Sequence, residues 1–433
     1  MIGRQNLDGK QSEASPTEGA GLRETGLIRP TYSERFRCIG PRCEDSCCKG
    51  WTVPVDKEAF EKYRALPAGP LRVLLDENLV ETPNDPNPAH FAKIKMPASN
   101  ECPILTEEGL CRIHAELGEE YLCHTCATYP RAVSNIDNLE EKALSMSCPE
   151  AARLVLLDPG LIEETFNGNY EMTWDDAPER ADREPLGFFW PVREFVFTLL
   201  RDRSYPLWQR LFLMGSFCRR MDAIARGESE RGVTAFLRDF AGAVNHGALR
   251  AAMETIPADL HLQLDMVLRL AGLCRDRSAV GARFVECLET FKRGIDARPD
   301  ATMRDLIAAY AGAYQKIYAP FFARNPHILE NYLANAIFRR QFPYGLKDGK
   351  LQPKPEMTRE YALLATQFAL IKGLLIGVAG AHGEAFAEEH LVYTIQSASK
   401  HFDHHPQFLD QVHELLVKTG RDNPHGLTML LRN

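Results

Sequence analysis

Cysteine is spread very unevenly along this chain of 433 residues, and that distribution constrains the fold more than any other feature of the sequence. Of the twelve cysteines, nine lie between residues 38 and 148, and only Cys218, Cys274 and Cys287 lie beyond them. The N-terminus has no apolar run after a basic start, so we predict no signal peptide and a cytoplasmic location. Thiols stay reduced in the cytoplasm, which favours metal or iron–sulfur ligation over disulfide bonds.

Composition is that of a soluble globular protein, with 45% hydrophobic and 25% charged residues. We predict a disordered polar tail (1–26), a cysteine-rich metal- or cluster-binding domain with little β-structure (27–150), and a larger α-helical domain (151–433). The fold class is therefore mainly α, with the small domain packed on the helical one. The net charge of −8 argues against a nucleic-acid partner. The most apolar stretch, 195–213, is interrupted by charges and a proline, so no membrane span is predicted.

Periodicity places the regular elements. Residues 51–56 alternate as a strand, and Pro54 restricts that strand to the edge of a sheet. Residues 57–66 are predicted to form a short helix with Asp56 as its N-cap. The larger domain carries helical periods over 188–200, 207–225, 234–255, 258–273, 279–293, 302–323, 328–338, 361–378 and 407–418.

The cysteines form clusters that suit metal ligation. Nine thiols exceed the four that one tetrahedral zinc ion or one cubane cluster requires, so there are either two sites or some non-ligating cysteines. The adjacent Cys47 and Cys48 rarely bind one ion together, so one of them is expected to face elsewhere. Spacing alone does not choose between iron–sulfur and zinc. The Cys-x3-Cys-x2-Cys loop of radical enzymes that cleave S-adenosylmethionine is absent, so a radical mechanism ranks last.

The order of these motifs resembles the flagellin lysine N-methylases. The likeness rests on Cys-x4-Cys-x3-Cys-Cys-Lys-Gly-Trp, then Cys-Pro-x-Leu, Thr-Cys-x-x-Tyr-Pro-Arg and Ser-Cys-Pro-Glu, and it extends over about residues 32–420. Asn331-Tyr332-Leu333 and Phe342-Pro343-Tyr344 resemble the C-terminal part of that family. The resemblance implies a protein-lysine N-methyltransferase that transfers methyl groups from S-adenosyl-L-methionine to surface lysines of flagellin. It also implies an iron–sulfur cluster, expected to be 4Fe-4S, with zinc as the alternative.

The resemblance also implies which thiols are ligands, with Cys123 as the most dispensable of the nine. The cysteines that match the family pattern are Cys38, Cys43, Cys47, Cys48, Cys102, Cys111, Cys126 and Cys148.

Methylation requires a neutral lysine amine, so a site must lower the amine pKa from about 10.4. The candidates for handling the amine are Asp56, Tyr63, Tyr129, Arg131, Glu330 and Tyr332. Three of these, Asp56, Tyr129 and Arg131, have a structural alternative. Asp56 can be simply a helix N-cap, and Tyr129 to Arg131 can be a turn packed on the metal loop, with Arg131 paired to an acidic neighbour.

Asn331 and Asn335 lie four residues apart on one helical face, and they are candidates for binding substrate or methyl donor. The alternative is that they hydrogen-bond another helix. The glycine-rich run 377–383 lacks the G-x-G-x-x-G spacing, and close helix packing or a helix end is the favoured explanation. No βαβ alternation surrounds it, so a doubly wound methyltransferase fold is not predicted.

His401, His404 and His405 could form a second metal group, although a solvated turn is favoured. A rival to the methyltransferase hypothesis also comes from the cysteines. It is a metal- or cluster-stabilised binding or redox-sensing protein without transferase activity, which would bind metal but no methyl donor.

Overall fold

The structure is a computed structural model that describes residues 29–85, 87–97, 101–137, 139–165, 185–229, 232–275, 281–347, 350–403 and 408–433. The predicted tail (1–26), together with His404 and His405, lies outside the described residues. The described chain is mainly helical with little β-structure, which confirms the predicted fold class at that level.

The first part of the chain carries short helices. They are α1 (Lys57–Arg64), α2 (Pro70–Asn78), α3 (Arg112–Leu117), α4 (His124–Thr128), α5 (Pro149–Leu156) and α6 (Leu161–Thr165). The helices that follow are mostly longer, and they are α7 (Phe189–Arg201), α8 (Leu207–Ala225), α9 (Val233–Asn245), α10 (Arg250–Glu254), α11 (Leu260–Arg275), α12 (Ala282–Gly294), α13 (Met303–Ala313), α14 (Ala319–Arg324), α15 (His327–Arg340), α16 (Met357–His382), α17 (Glu388–Asp403), α18 (Phe408–Lys418) and α19 (Pro424–Leu431).

The strands in the described part of the chain form three small antiparallel sheets. They are β1 (Pro54–Val55), β2 (Leu79–Glu81), β3 (Ala92–Ile94), β4 (Arg131–Ile136), β5 (Leu139–Leu144), β6 (Leu346–Lys347) and β7 (Lys350–Leu351). The order β1-β3-β2 puts Pro54 on an edge strand, as predicted, although the strand is shorter than residues 51–56. The hairpin β4–β5 was not expected, because its inward positions include the polar side chains of Ser134 and Glu141, which hide the apolar alternation.

Two predicted helices are interrupted for local reasons. The helix predicted over 234–255 ends before Gly247, whose φ of +67° is left-handed, and α10 begins after it. The stretch 302–323 remains helical but contains one π-helical turn, Tyr314–Tyr318. Pro320 follows that turn and has no N–H to donate to the preceding turn of the helix, which disrupts the regular α-helical pattern.

The helical region is organised around α16, whose residues are almost all buried. α12 crosses it closely, since a Cβ atom on Gly294 would overlap the carbonyl oxygen of Gly377. Gly380 likewise lies against Gly294. The glycine-rich run is therefore a close helix contact rather than a cofactor loop, as favoured from the sequence.

α16 also corrects one prediction. With the short turn that follows, Met357–Ala385 is long and apolar enough to cross a membrane by length and composition, although no such stretch was predicted. The structure buries 94% of its most apolar window inside the protein, as in the core helix of a soluble protein. The length and apolar composition of this helix are therefore only weak evidence for a membrane span.

Within the described residues, buried apolar side chains form two separate cores. The smaller extends from Val53 to Cys123, within the cysteine-rich segment. The larger includes the long helices and also takes in Tyr32, Phe36 and Leu144. The predicted division at residue 150 remains a prediction, and these cores show that segment 27–150 contributes to both.

Candidate functional site

The clustered thiols lie in two groups, and electrostatic interactions connect the members of each group. The first consists of Cys38, Cys43, Cys47 and Cys148. The second consists of Cys48, Cys102, Cys111, Cys123 and Cys126. We call them the first and second thiol groups. Cys47 and Cys48 belong to different groups, and the expectation that these neighbours do not share one ion remains a prediction.

Cys47 and Cys48 link the two groups, because their side chains hydrogen-bond each other. This bond raises the pKa of the Cys47 thiol and lowers that of Cys48, because Cys48 accepts the proton. The nearby ammonium groups of Lys400 and Lys49 lower the pKa of Cys48 further. Cys123 is buried and also donates to the carbonyl oxygen of Pro54 at 3.6 Å.

Each group contains at least four thiols, which is the number that one zinc ion or one cubane cluster requires. The thiols of either group therefore suit either kind of metal centre, zinc or iron–sulfur. Among the described residues, however, no three His, Cys, Asp or Glu side chains converge closely enough to hold a metal ion. The thiols suit a metal centre in kind and number. To coordinate one metal ion together, they would have to move closer to one another.

α17 supports the loop of the first thiol group. Asp45, between Cys43 and Cys47, accepts hydrogen bonds from Gln396 Nε2 and Lys400 Nζ, both at 2.7 Å. Gln396 also donates to the carbonyl oxygen of Ser147 at 2.8 Å. One helix thereby positions two distant parts of the first thiol group, the loop around Asp45 and the turn before Cys148.

An open cleft of about 800 Å³ lies beside this loop. Three arginines and three glutamates line it, with an apolar floor that includes Phe321, Phe386 and Val392. The charged lining residues are Glu44, Arg153, Arg283, Arg324, Glu388 and Glu389.

A smaller cavity of about 240 Å³ lies at the other end of α17 and is lined by Tyr332, Asn335, Arg339 and Asp403. Asp403 accepts hydrogen bonds from Arg339 at 3.0 Å and from Ser145 at 2.6 Å. Burial raises the pKa of Tyr332, so its phenol stays protonated and is a poor base at neutral pH.

Tyr129 is joined to this small cavity by hydroxyl groups. Its hydroxyl hydrogen-bonds Ser147 at 2.9 Å, and Ser147 hydrogen-bonds Ser145, which donates to Asp403. Burial and the neighbouring Cys148 raise the pKa of Tyr129. Hydrogen bonds therefore connect Tyr129 to Asp403, which lines the same small cavity as the distant candidates Tyr332 and Asn335.

The other candidates lie elsewhere. Asp56 is the N-cap of α1 and accepts from the N–H groups of Ala59 and His124 at 2.9 and 2.7 Å, which confirms the structural alternative. Burial opposes ionisation of Asp56, but these hydrogen bonds outweigh it and lower the pKa of its carboxyl group.

Arg131, Tyr63 and Glu330 also make structural contacts. The Arg131 guanidinium lies over the Phe36 ring and donates to the Phe36 carbonyl oxygen, in place of the acidic neighbour expected in the structural alternative. Tyr63 donates to the carbonyl oxygen of Tyr121 at 2.8 Å. Glu330 is buried and binds Arg203 and Arg210.

Both candidate asparagines hold elements together. Asn331 donates to the carbonyl oxygens of Val155 and Asp158 at 2.9 and 2.7 Å, so it binds the end of α5, as the alternative proposed. Asn335 accepts from Tyr32 and bonds the backbone of Leu144 in both directions, which ties α15 to β5. The side-chain amide nitrogens of both asparagines therefore donate to backbone carbonyl oxygens of other elements.

Several site residues lie outside the predicted set. Gln396, Lys400 and Asp403 belong to α17, a segment with no predicted helix, although Leu391, Ile395 and Phe402 follow a helical period. His401 of the suggested histidine group is buried and stacks on Phe284, with ring centroids 5.0 Å apart. A solvated turn is therefore wrong for His401.

This geometry defines a class of protein. It is a helical protein in which α17 holds a thiol-rich loop beside an open cleft. The family model of the FliB lysine N-methylase C-terminal domain matches residues 193–430, more than half of the chain. The chain therefore belongs to the FliB lysine N-methylase family, as the cysteine motifs predicted.

Individual relatives agree with this membership. The chain is 24% identical over 396 residues to the lysine-N-methylase of Salmonella typhimurium, covering 88% of this chain and 93% of the relative. The lysine-N-methylase of Salmonella choleraesuis is equally similar. The flagellar biosynthetic protein FliU of Salmonella muenchen is 35% identical over 139 residues, which cover 32% of this chain and 81% of FliU. No solved structure matches the chain.

Proposed function

We propose that this protein is a lysine N-methyltransferase that transfers methyl groups from S-adenosyl-L-methionine to surface lysine side chains of flagellin in the cytoplasm. The observation that carries the proposal is family membership, because the matched relatives bear the names lysine-N-methylase and flagellar biosynthetic protein. The open cleft supplies the second support, since a lysine on a folded protein can reach only an open site.

The reaction sets two requirements for the cleft. The lysine nitrogen must be neutral, so that its lone pair forms the N–C bond while the C–S electron pair leaves on sulfur as a thioether. The methylated amine then carries the positive charge and must lose a proton before a further methyl transfer. Alignment of nitrogen, carbon and sulfur contributes a large share of the rate.

Residues of the cleft meet these requirements in part. Glu388 and Glu389 lie exposed at the start of α17 and attract cations to the cleft, and both the lysine ammonium and the sulfonium donor are cations. The apolar side chains of Leu157 and Val392 in the cleft lining exclude water from the lysine, and this desolvation favours its neutral form.

The thiols are the proposed ligands of an iron–sulfur cluster, with zinc as the alternative. Cys38, Cys43, Cys47 and Cys148 would hold one such centre beside the cleft, and the second thiol group would hold another. When bound, a cluster supplies a redox centre and a cross-link between the loop and α5. The methyl displacement described above requires no thiol.

The test is a methylation assay. Purified protein, prepared without oxygen, is incubated with flagellin and S-adenosylmethionine, and flagellin is analysed by mass spectrometry. We expect lysine mass shifts of one or more methyl units, and none when the donor is omitted. The absence of any shift with metal-loaded protein would contradict the proposal, and donor binding without transfer would support the rival binding function.

A further inference from the structure

Some of the charged side chains that line the open cleft are paired within the protein, and others are not. Arg153 pairs with Glu150 and Glu44, and Arg283 donates to Gln396 and lies over the ring of Tyr393. These arginines are therefore fixed by neighbouring side chains.

Arg324 is different. It lies exposed in the last turn of α14 and has no ion-pair partner within the described part of the chain. Glu388 and Glu389, which line the same cleft, occupy the first turn of α17, and both are exposed. The cleft thus offers one free guanidinium and two accessible carboxylates.

An apolar surface accompanies these charges. The rings of Phe321 and Phe386 pack edge to face, with centroids 4.9 Å apart, and both contribute to the cleft floor. The rings are only 9% and 7% exposed and are held by the protein, so the parts of them that line the cleft are preorganised. Aromatic rings held in this way suit the stacking of a flat base.

From this arrangement we infer that the cleft is the binding site of the methyl donor and that Arg324 binds the donor's carboxylate. This inference rests on the proposed function. S-adenosylmethionine has one carboxylate, two positive groups close to it and an adenine ring. The carboxylate complements Arg324, the ammonium and sulfonium groups complement Glu388 and Glu389, and adenine stacks on the phenylalanine floor.

Size and charge both favour this cleft over the smaller cavity. Ligand sites for molecules of this size occupy about 300–1,000 Å³, and the cleft has about 800 Å³. The smaller cavity has about 240 Å³, and its two arginines are already paired, Arg339 with Asp403 and Arg340 with Glu360. It lacks both the volume and an uncommitted cation for the donor.

Calorimetric titration of the full-length protein with S-adenosylmethionine tests the inference. Arg324→Ala should weaken donor binding about tenfold or more, the loss expected for a charge-assisted hydrogen bond to a carboxylate. Arg324→Lys should restore part of the affinity. The matched control is Arg304→Ala, which removes an exposed arginine from α13, away from the cleft lining, and should leave the affinity unchanged.

A second titrant isolates the carboxylate. 5′-Methylthioadenosine keeps the adenine and sulfur but lacks the amino-acid end, so Arg324→Ala should bind it as the unaltered protein does. Equal affinity of Arg324→Ala and unaltered protein for S-adenosylmethionine would overturn the inference while leaving methylation of flagellin intact. Failure of the unaltered protein both to bind the donor and to methylate flagellin would instead overturn the proposed function.

Discussion

The helical region and the cysteine-rich segment of this protein are stabilised in different ways. In the helical region, long helices pack around α16, and contacts as close as that between Gly294 and Gly377 allow no extra atom. The segment from Val53 to Cys123 has short elements and a small core that includes Cys102 and Cys123. Thiols occupy positions there that an ordinary domain gives to apolar side chains. We therefore expect packing changes to damage the first region and metal removal to damage the second.

The largest expected effect is a packing change in the helical region. Gly294→Ala should lower the free energy of unfolding by about 3 kcal/mol or more, because the added methyl group overlaps the Gly377 carbonyl oxygen in the adjacent helix. Urea unfolding followed by circular dichroism measures it. Gly312→Ala in α13 meets no atom within 4 Å and should be neutral or stabilising by about 0.5–1 kcal/mol. Equal urea midpoints for Gly294→Ala and the unaltered protein would show that α12 and α16 leave room for a methyl group at their crossing, which contradicts the close contact described above.

Metal removal should affect the other region. Chelation of protein purified without oxygen should speed amide exchange in residues 101–126 by about 100-fold, which corresponds to about 3 kcal/mol, and should leave α16 unchanged. Hydrogen exchange read by mass spectrometry localises the effect.

A pair of cysteine variants serves as the control for chelation. Cys126→Ser, in the second thiol group, should lose the metal of that group, whereas Cys287→Ser, at a buried thiol of α12, should retain it. Unchanged exchange in residues 101–126 after chelation would mean that the thiols stabilise this region without a metal.

The smallest expected effect lies at the contact between the two regions. Lys400→Met removes the ion pair with Asp45, whose side chains are only 16% and 12% exposed, and should cost about 1–2 kcal/mol. Lys418→Met removes the exposed pair with Glu414 and should change stability by less than about 0.5 kcal/mol. Thermal unfolding compares the two variants, and equal losses would show that Lys400 does not hold the cysteine loop.

Helical periodicity predicted much of the fold because apolar spacing is a local property. The helix predicted at 207–225 has the bounds of α8, and the N-cap at Asp56 was also correct. The β4–β5 hairpin was not predicted because the polar residues Ser134 and Glu141 face inward. There they accept hydrogen bonds from Gln341 and Arg193, which are distant in sequence. A partner more than fifty residues away leaves no local signal.

In the candidate site, too, features with a local sequence signal were predicted and features that depend on distant contacts were not. Cysteine spacing identified the thiols and the family, since those motifs are contiguous in sequence. Arg324, Lys400 and the acidic pair at the start of α17 carry no such motif. They become candidates only because α14 and α17 bring them beside a loop that begins at Cys38.

By itself, the sequence determined that this is a mainly helical protein with a concentrated set of thiols and membership of a methylase family. Only the tertiary structure decided that the thiols divide into two groups, that Asn331 and Asn335 serve packing, and that an open cleft adjoins the first group. The physical reason is that residue type and period depend on near neighbours. Burial, charge pairing and cavities depend on side chains that meet only when distant helices pack together.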